Sequence, residues 1–215
     1  MPFTLRAHNR LAEDIGQRPE YRGAVISVHG MMSRGDWQKE LVPCLQDAAI
    51  RHMPIDYGWV LLGAVRKGTL HKVRDRIVAA YEEQLNYHPN PAAIGHSLGT
   101  FAIGSSLQSL PDLVLHRIIL YGSILPRRFP WLELAKRKQV EHVLNEAARN
   151  DIWPKVAACL RPAWGRSGCD GFLNGGEVVI QREYLLTGHS GLQYRLHYKR
   201  IWIPFLRGRD IRSIP

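Results

Sequence analysis

The sequence predicts an α/β protein: a three-layer α/β/α sandwich with a mostly parallel central sheet. Three observations carry this. Short apolar runs recur at Gly23–Val28, 92–94 and Arg117–Tyr121, the first of them rich in β-branched residues. They read as strands buried on both faces, as inside a parallel sheet. Segments with helical spacing of apolar residues separate these runs, and such alternation argues for helices covering both faces. The third observation is Gly95-His96-Ser97-Leu98-Gly99, set between an apolar run and a helix-like segment that reaches about Leu110. It is a strand that turns sharply into a helix, with a serine at the apex.

Composition bounds the rest. At 215 residues and 45% hydrophobic content, the chain is long enough for a single domain, 1–215, with a substantial core. No run of about 18 apolar residues occurs, so no membrane span is expected. The first residues lack the apolar core of a signal peptide, and a cytoplasmic location is expected. The three cysteines, Cys44, Cys159 and Cys169, are odd in number and lack metal-ligand spacing. They read as reduced thiols, and neither metal nor cofactor is expected. The net charge of +10 suggests contact with an anionic partner such as a membrane surface, nucleic acid or an acidic protein. No nucleic-acid-binding signature is present, so nucleic acid is not the expected partner.

In chain order, residues 1–22 form a polar N-terminal arm. The strand Gly23–Val28 ends in His29-Gly30-Met31, and Asp36 is placed to cap a helix over 37–49 that contains Pro43. A short strand is expected within 53–60 and a helix over 71–85, where Val73, Ile77, Ala80 and Tyr81 repeat at helical spacing. Prolines 89 and 91 end that helix before the serine strand. Beyond Arg117–Tyr121, a short strand over 140–144 is followed by a loop, 145–151, and by a helix over 152–160 with proline in its first turn. The glycine- and proline-rich stretch 161–176 reads as a surface loop, and 177–187 as a last strand.

A serine hydroxyl needs a base to act as a nucleophile near neutral pH, and the base needs an acid to fix its tautomer. In open α/β sheets such groups gather at the carboxyl ends of strands. Leu98, at the start of the helix after Ser97, offers its backbone N–H to a developing oxyanion. The best acid is Asp151, past the 140–144 strand. Its alternative role is to cap the next helix, and Glu146 and Asp170 compete with it. The best base is His189, directly after the last strand and between Gly188 and Ser190-Gly191. His96 adjoins the serine, but such a turn directs adjacent side chains apart; His142 lies within a strand and His197 in the basic tail.

The order Ser97, Asp151, His189 and the Gly-His-Ser-Leu-Gly turn resemble the α/β-hydrolase superfamily, specifically its small lipase- and esterase-like members. The resemblance covers roughly 23–191. It implies that Met31, after the His29-Gly30 pair, supplies a second oxyanion N–H beside that of Leu98. It also implies a serine hydrolase acting on a small-molecule or lipid carboxylic ester through an acyl-enzyme. The interval between Ser97 and Asp151 is too short for a separate cap domain, so a minimal cap or none is expected. A non-catalytic binding or effector module of the same fold, or an acyltransferase using the same serine, is the alternative. The segment 192–215 mixes Tyr194, Tyr198, Trp202 and Phe205 with Lys199, Arg200, Arg207 and Arg209. It suits packing on the domain in its first half, or an anionic membrane surface, which would make the protein peripheral. The oligomeric state is not legible.

Overall fold

Six parallel strands in the order β2-β1-β3-β4-β5-β6 form the centre of the molecule. The structure is a computed structural model that describes residues 21–60 and 67–214; all but the last two residues of the N-terminal arm lie outside these. The strands are β1 (Gly23–Val28), β2 (Ile50–Ile55), β3 (Ala92–His96), β4 (Arg117–Tyr121), β5 (His142–Ala148) and β6 (Val179–Tyr184). The chain runs outward from β1 to β2, then returns across β1 to build β3 on its other side. This reversal opens a crevice at the carboxyl ends of β1 and β3, where ligands bind in open α/β sheets.

Period-two alternation divides the strand side chains between two cores. Ile26, Val28, Ala93, Ile118, Leu120 and Val143 face one side. There they meet Val73, Ile77 and Tyr81 of α2 (Lys67–Leu85) and Ile103 and Leu107 of α3 (Leu98–Ser109). Val25, Ile94, Ile119, Tyr121 and Leu144 face the other side, against Trp37, Leu41 and Leu45 of α1 (Asp36–Asp47). Both faces of every central strand are thus covered, which is why those strands read as unbroken apolar runs. Three smaller helices follow: α4 (Trp131–Lys136), α5 (Trp153–Leu160) and α6 (Ser167–Asp170).

The C-terminal segment completes the second core. Three helical pieces, Arg195–His197, the π-helical turn Tyr198–Trp202, and Ile203–Leu206, run on without a break. Tyr198, Trp202 and Phe205 are fully buried among α1 and the sheet. Burial of such rings contributes about 2–3 kcal/mol each. The carboxylate of Glu146, itself fully buried, ties the segment down. It accepts hydrogen bonds from Trp202 Nε1 at 2.6 Å, His197 Nε2 at 2.9 Å and Tyr184 Oη at 2.8 Å. The cations Lys199, Arg200, Arg207 and Arg209 stay exposed.

Several local expectations change. β2 starts at Ile50 and stops at Ile55 because it pairs in register with all of β1; its Pro54 is tolerated because β2 is an edge strand. β5 runs on to Ala148, since β6 pairs with it as far as Tyr184, so 145–148 are strand rather than loop. Asp36 begins α1 instead of capping it; Gly35, at φ 72°, is the cap residue. The stretch 161–176 is no surface loop. It carries α6 and buries Trp164, Ser167, Gly168 and Cys169. A Cβ on Gly168 would lie 2.1 Å from the backbone nitrogen of Ser123, so the chain threads there against the end of β4.

Candidate active site

Ser97 is the single residue between β3 and α3, and its backbone sits at φ 51°, ψ −117°. For a non-glycine residue this region costs on the order of 1–3 kcal/mol, so the surroundings must enforce it. They do so from both sides. Ser97 N donates to Tyr121 O at 3.2 Å. Ser97 O accepts from Thr100 N at 3.0 Å and from Thr100 Oγ1 at 2.6 Å. The flanking glycines answer to close approach. A Cβ on Gly99 would lie 2.1 Å from Val28 O, and one on Gly95 3.0 Å from the Thr100 backbone. Gly30 is equally confined, since its Cβ would meet Ser97 Cβ at 2.8 Å. The loop after β1 therefore packs directly on the serine turn.

That packing brings Met31 to the same place. Met31, Met32, Ser33, Ser97, Trp153, His189 and Gln193 are among the residues lining a cavity of about 190 Å³. The backbone N–H of Met31 and that of the fully buried Leu98 meet no acceptor among the described residues. Free N–H groups beside a strained serine are what an oxyanion would require.

Asp151 lies beyond β5, where its N–H donates to Ala148 O at 2.9 Å. Its side chain is fully buried. Oδ2 accepts from His189 Nδ1 at 2.6 Å, and Oδ1 accepts from the N–H of Trp153, the first residue of α5, at 3.0 Å. One carboxylate therefore both holds a histidine and starts a helix. The bond at Nδ1 fixes the tautomer of a neutral His189 and leaves Nε2 free. Ser97 Oγ and His189 Nε2 share the cavity but are not hydrogen-bonded to each other; such contacts often tighten only with substrate.

Of the competing acids, Glu146 is taken up by the C-terminal segment, whose His197 and Trp202 donate to its carboxylate. Asp170 pairs with Arg166 at 2.7 Å. His197 belongs to the Glu146 cluster, and His142 begins β5 beside Glu141.

His96 departs from expectation. Its ring does not turn away from the site but lies 4.6 Å from the His189 ring. Its Nε2–H donates to His189 O at 3.1 Å, and its other face stacks on Tyr121 at 4.5 Å. Burial, with His189 close by, holds its pKa well below the usual histidine value, so the ring stays neutral. Gly122, at φ 55°, completes the seat, because a Cβ there would lie 2.8 Å from His189 Cε1. The Gly122-Ser123 pair closing β4 is the sequence signal for this second contact. Among the described residues, no group of three or more His, Cys, Asp or Glu side chains is arranged to hold a metal ion.

No family model and no curated protein matches the sequence. Solved structures do match. A dienelactone hydrolase-like promiscuous phosphotriesterase from metagenomic libraries shares 15% identity at a TM-score of 0.60, over 88% of this chain and 86% of the other. A lipase-esterase related protein from Clostridium acetobutylicum shares 11% identity at a TM-score of 0.57, over 90% and 96%. A cold-adapted esterase from an Arctic intertidal metagenomic library shares 13% identity at a TM-score of 0.58, over 89% and 84%. At these identities the likeness speaks for architecture. With its parallel six-stranded sheet, its helices on both faces and these neighbours, the chain has the fold of the α/β-hydrolase superfamily.

Proposed function

We propose that the protein is a serine hydrolase of carboxylic esters, with Ser97 as nucleophile, His189 as general base and Asp151 as the acid that orients it. The observation that carries this reading is the 2.6 Å hydrogen bond from His189 Nδ1 to the buried Asp151, at a cavity shared with Ser97. His189 Nε2 takes the Ser97 proton as Oγ attacks the ester carbonyl. The tetrahedral oxyanion rests on the N–H groups of Met31 and Leu98. Collapse expels the alcohol, which takes its proton from His189. Water, deprotonated by His189, then cleaves the acyl-enzyme, and Ser97 regains its proton as the acid leaves. Asp151 stabilises the imidazolium in both halves.

The rim of the cavity supports an apolar acyl or alcohol group on the substrate. Met32 and Trp153 line it and are each 42% exposed. α5 also leaves Val156 and Leu160 exposed. Labelling with a fluorophosphonate tests the assignment. The native protein is expected to be labelled and Ser97→Ala is not, after which esters of graded acyl length define the substrate. Absence of labelling in folded protein would favour a binding module instead.

A further inference from the structure

A second cavity, of about 220 Å³, opens at the other end of the sheet. Its walls come from the amino ends of β1, β3 and β4 and from the close of the C-terminal segment. With five-residue β3 between them, it lies roughly 15 Å from the serine turn. Its polar lining is Arg22, His88, Asn90, His116, Arg117 and Arg207, with no Asp or Glu.

Among the described residues, the charges in this lining are largely unspent. Arg117 is half-buried at the start of β4. Its guanidinium makes no hydrogen bond or ion pair among the described residues, only a distant ring contact with Phe205 at 5.3 Å. Arg22 likewise makes no side-chain hydrogen bond or ion pair among the described residues. Arg207 gives one hydrogen bond, to Ala48 O at 2.8 Å. The nearby carboxylate of Glu141 is engaged by His116 at 2.5 Å and by His142 at 3.4 Å. Burial pulls the Arg117 pKa below the usual arginine value, and the charge of Glu141 offsets this only in part. Leaving a partly desolvated charge unpaired is costly, and a bound oxyanion removes that cost. Guanidinium forks match the oxygens of phosphate in pairs, with shorter and stronger bonds than neutral donors give.

We propose that this cavity binds a small phosphate-type oxyanion, with Arg117, Arg22 and Arg207 as its cationic contacts. The site is separate from the serine cavity and independent of the chemistry assigned there. The shared chemistry is a phosphate dianion, free or as the head of a soluble phosphomonoester.

The test is a titration of the full chain with inorganic phosphate, read by thermal unfolding and calorimetry, against sodium chloride at equal ionic strength. Phosphate at ten times its Kd is expected to raise Tm by roughly 3 °C over the chloride control. Arg117→Gln is expected to weaken binding at least tenfold. The exposed variants Arg22→Ala and Arg207→Ala, which keep the fold if Arg117→Gln does not, are each expected to weaken it several-fold, and Lys72→Ala on α2 to leave it unchanged. Tighter binding of glycerol phosphate than of inorganic phosphate supports the site and makes the ligand a phosphomonoester; the reverse supports the free anion. Stabilisation no greater than that from chloride overturns the proposal, as does equal affinity in all four variants.

Discussion

His96 donates from Nε2 to the backbone carbonyl of His189 across 3.1 Å, so the residue before the serine holds the loop that carries the proposed base. The stack on Tyr121 and the contact of Tyr121 with Trp202 at 5.1 Å anchor this pair to the C-terminal segment. His96→Phe keeps the stacking and deletes the donor. It is expected to lower kcat by about tenfold or more with little change in KM, because a loosened base is misplaced in the transition state. His96→Gln, which retains a donor, should recover part of the loss. Steady-state kinetics of the two variants check this.

Asp151→Asn is expected to lower kcat/KM by about 10³–10⁴-fold, since an amide can hold His189 in the wrong tautomer. Part of the effect is structural, because Asp151 also accepts the N–H that starts α5. Far-UV circular dichroism separates the two. Asp170→Asn should act as wild type, and the reverse ranking would displace Asp151 from the acid role.

Ser97→Gly removes the side chain at the strained position of the turn. It is expected to abolish fluorophosphonate labelling and to raise stability by about 1 kcal/mol, the relief at positive φ exceeding the entropy cost of glycine. Urea unfolding measures it, and a less stable variant would argue that the turn is not strained.

Gly99→Ala tests the packing that forms the turn. Its Cβ would meet Val28 O at 2.1 Å, with backbone on both sides of the contact. A loss of about 3 kcal/mol or failure to fold is expected. Expression and thermal unfolding check this.

Acid should weaken the fold through two histidines, the half-buried His52 and the buried His96. Burial lowers the His52 pKa to about 4, and pulls that of His96 well below its usual value. In the unfolded chain both bind protons near pH 6.5, so the unfolded state holds more protons below that point. Stability is therefore full above about pH 6.5 and falls as pH drops toward 4, by roughly 2–3 kcal/mol for His52 alone. Denaturant unfolding between pH 7 and 4.5 should show a shallower slope in His52→Gln.

What the sequence could tell followed from how local the cause was. β1, β3 and β4 were legible because a strand buried on both faces must be apolar throughout. The serine turn was legible because its glycines, its serine and its helix start are neighbours in the chain. Asp151 and His189 could be short-listed, since each follows a strand toward the same sheet edge. The choice against Glu146 was not local. Glu146 sits within β5, and only the pairing of β5 with all of β6 extends the strand that far, where Tyr184, His197 and Trp202 take up its carboxylate.

The sequence by itself determined the alternation of strands and helices, the strained serine turn and the candidate groups around it, because backbone sterics and hydrophobic periodicity act over a few residues. The tertiary structure alone decided the rest. It set His96 on the carbonyl of His189, 93 positions away in the chain, and buried the C-terminal aromatics over Glu146. It also gathered Arg22, Arg117 and Arg207 around one cavity. These relationships join distant residues through strand order and burial, and no local pattern encodes which partner a polar side chain will meet once water is excluded.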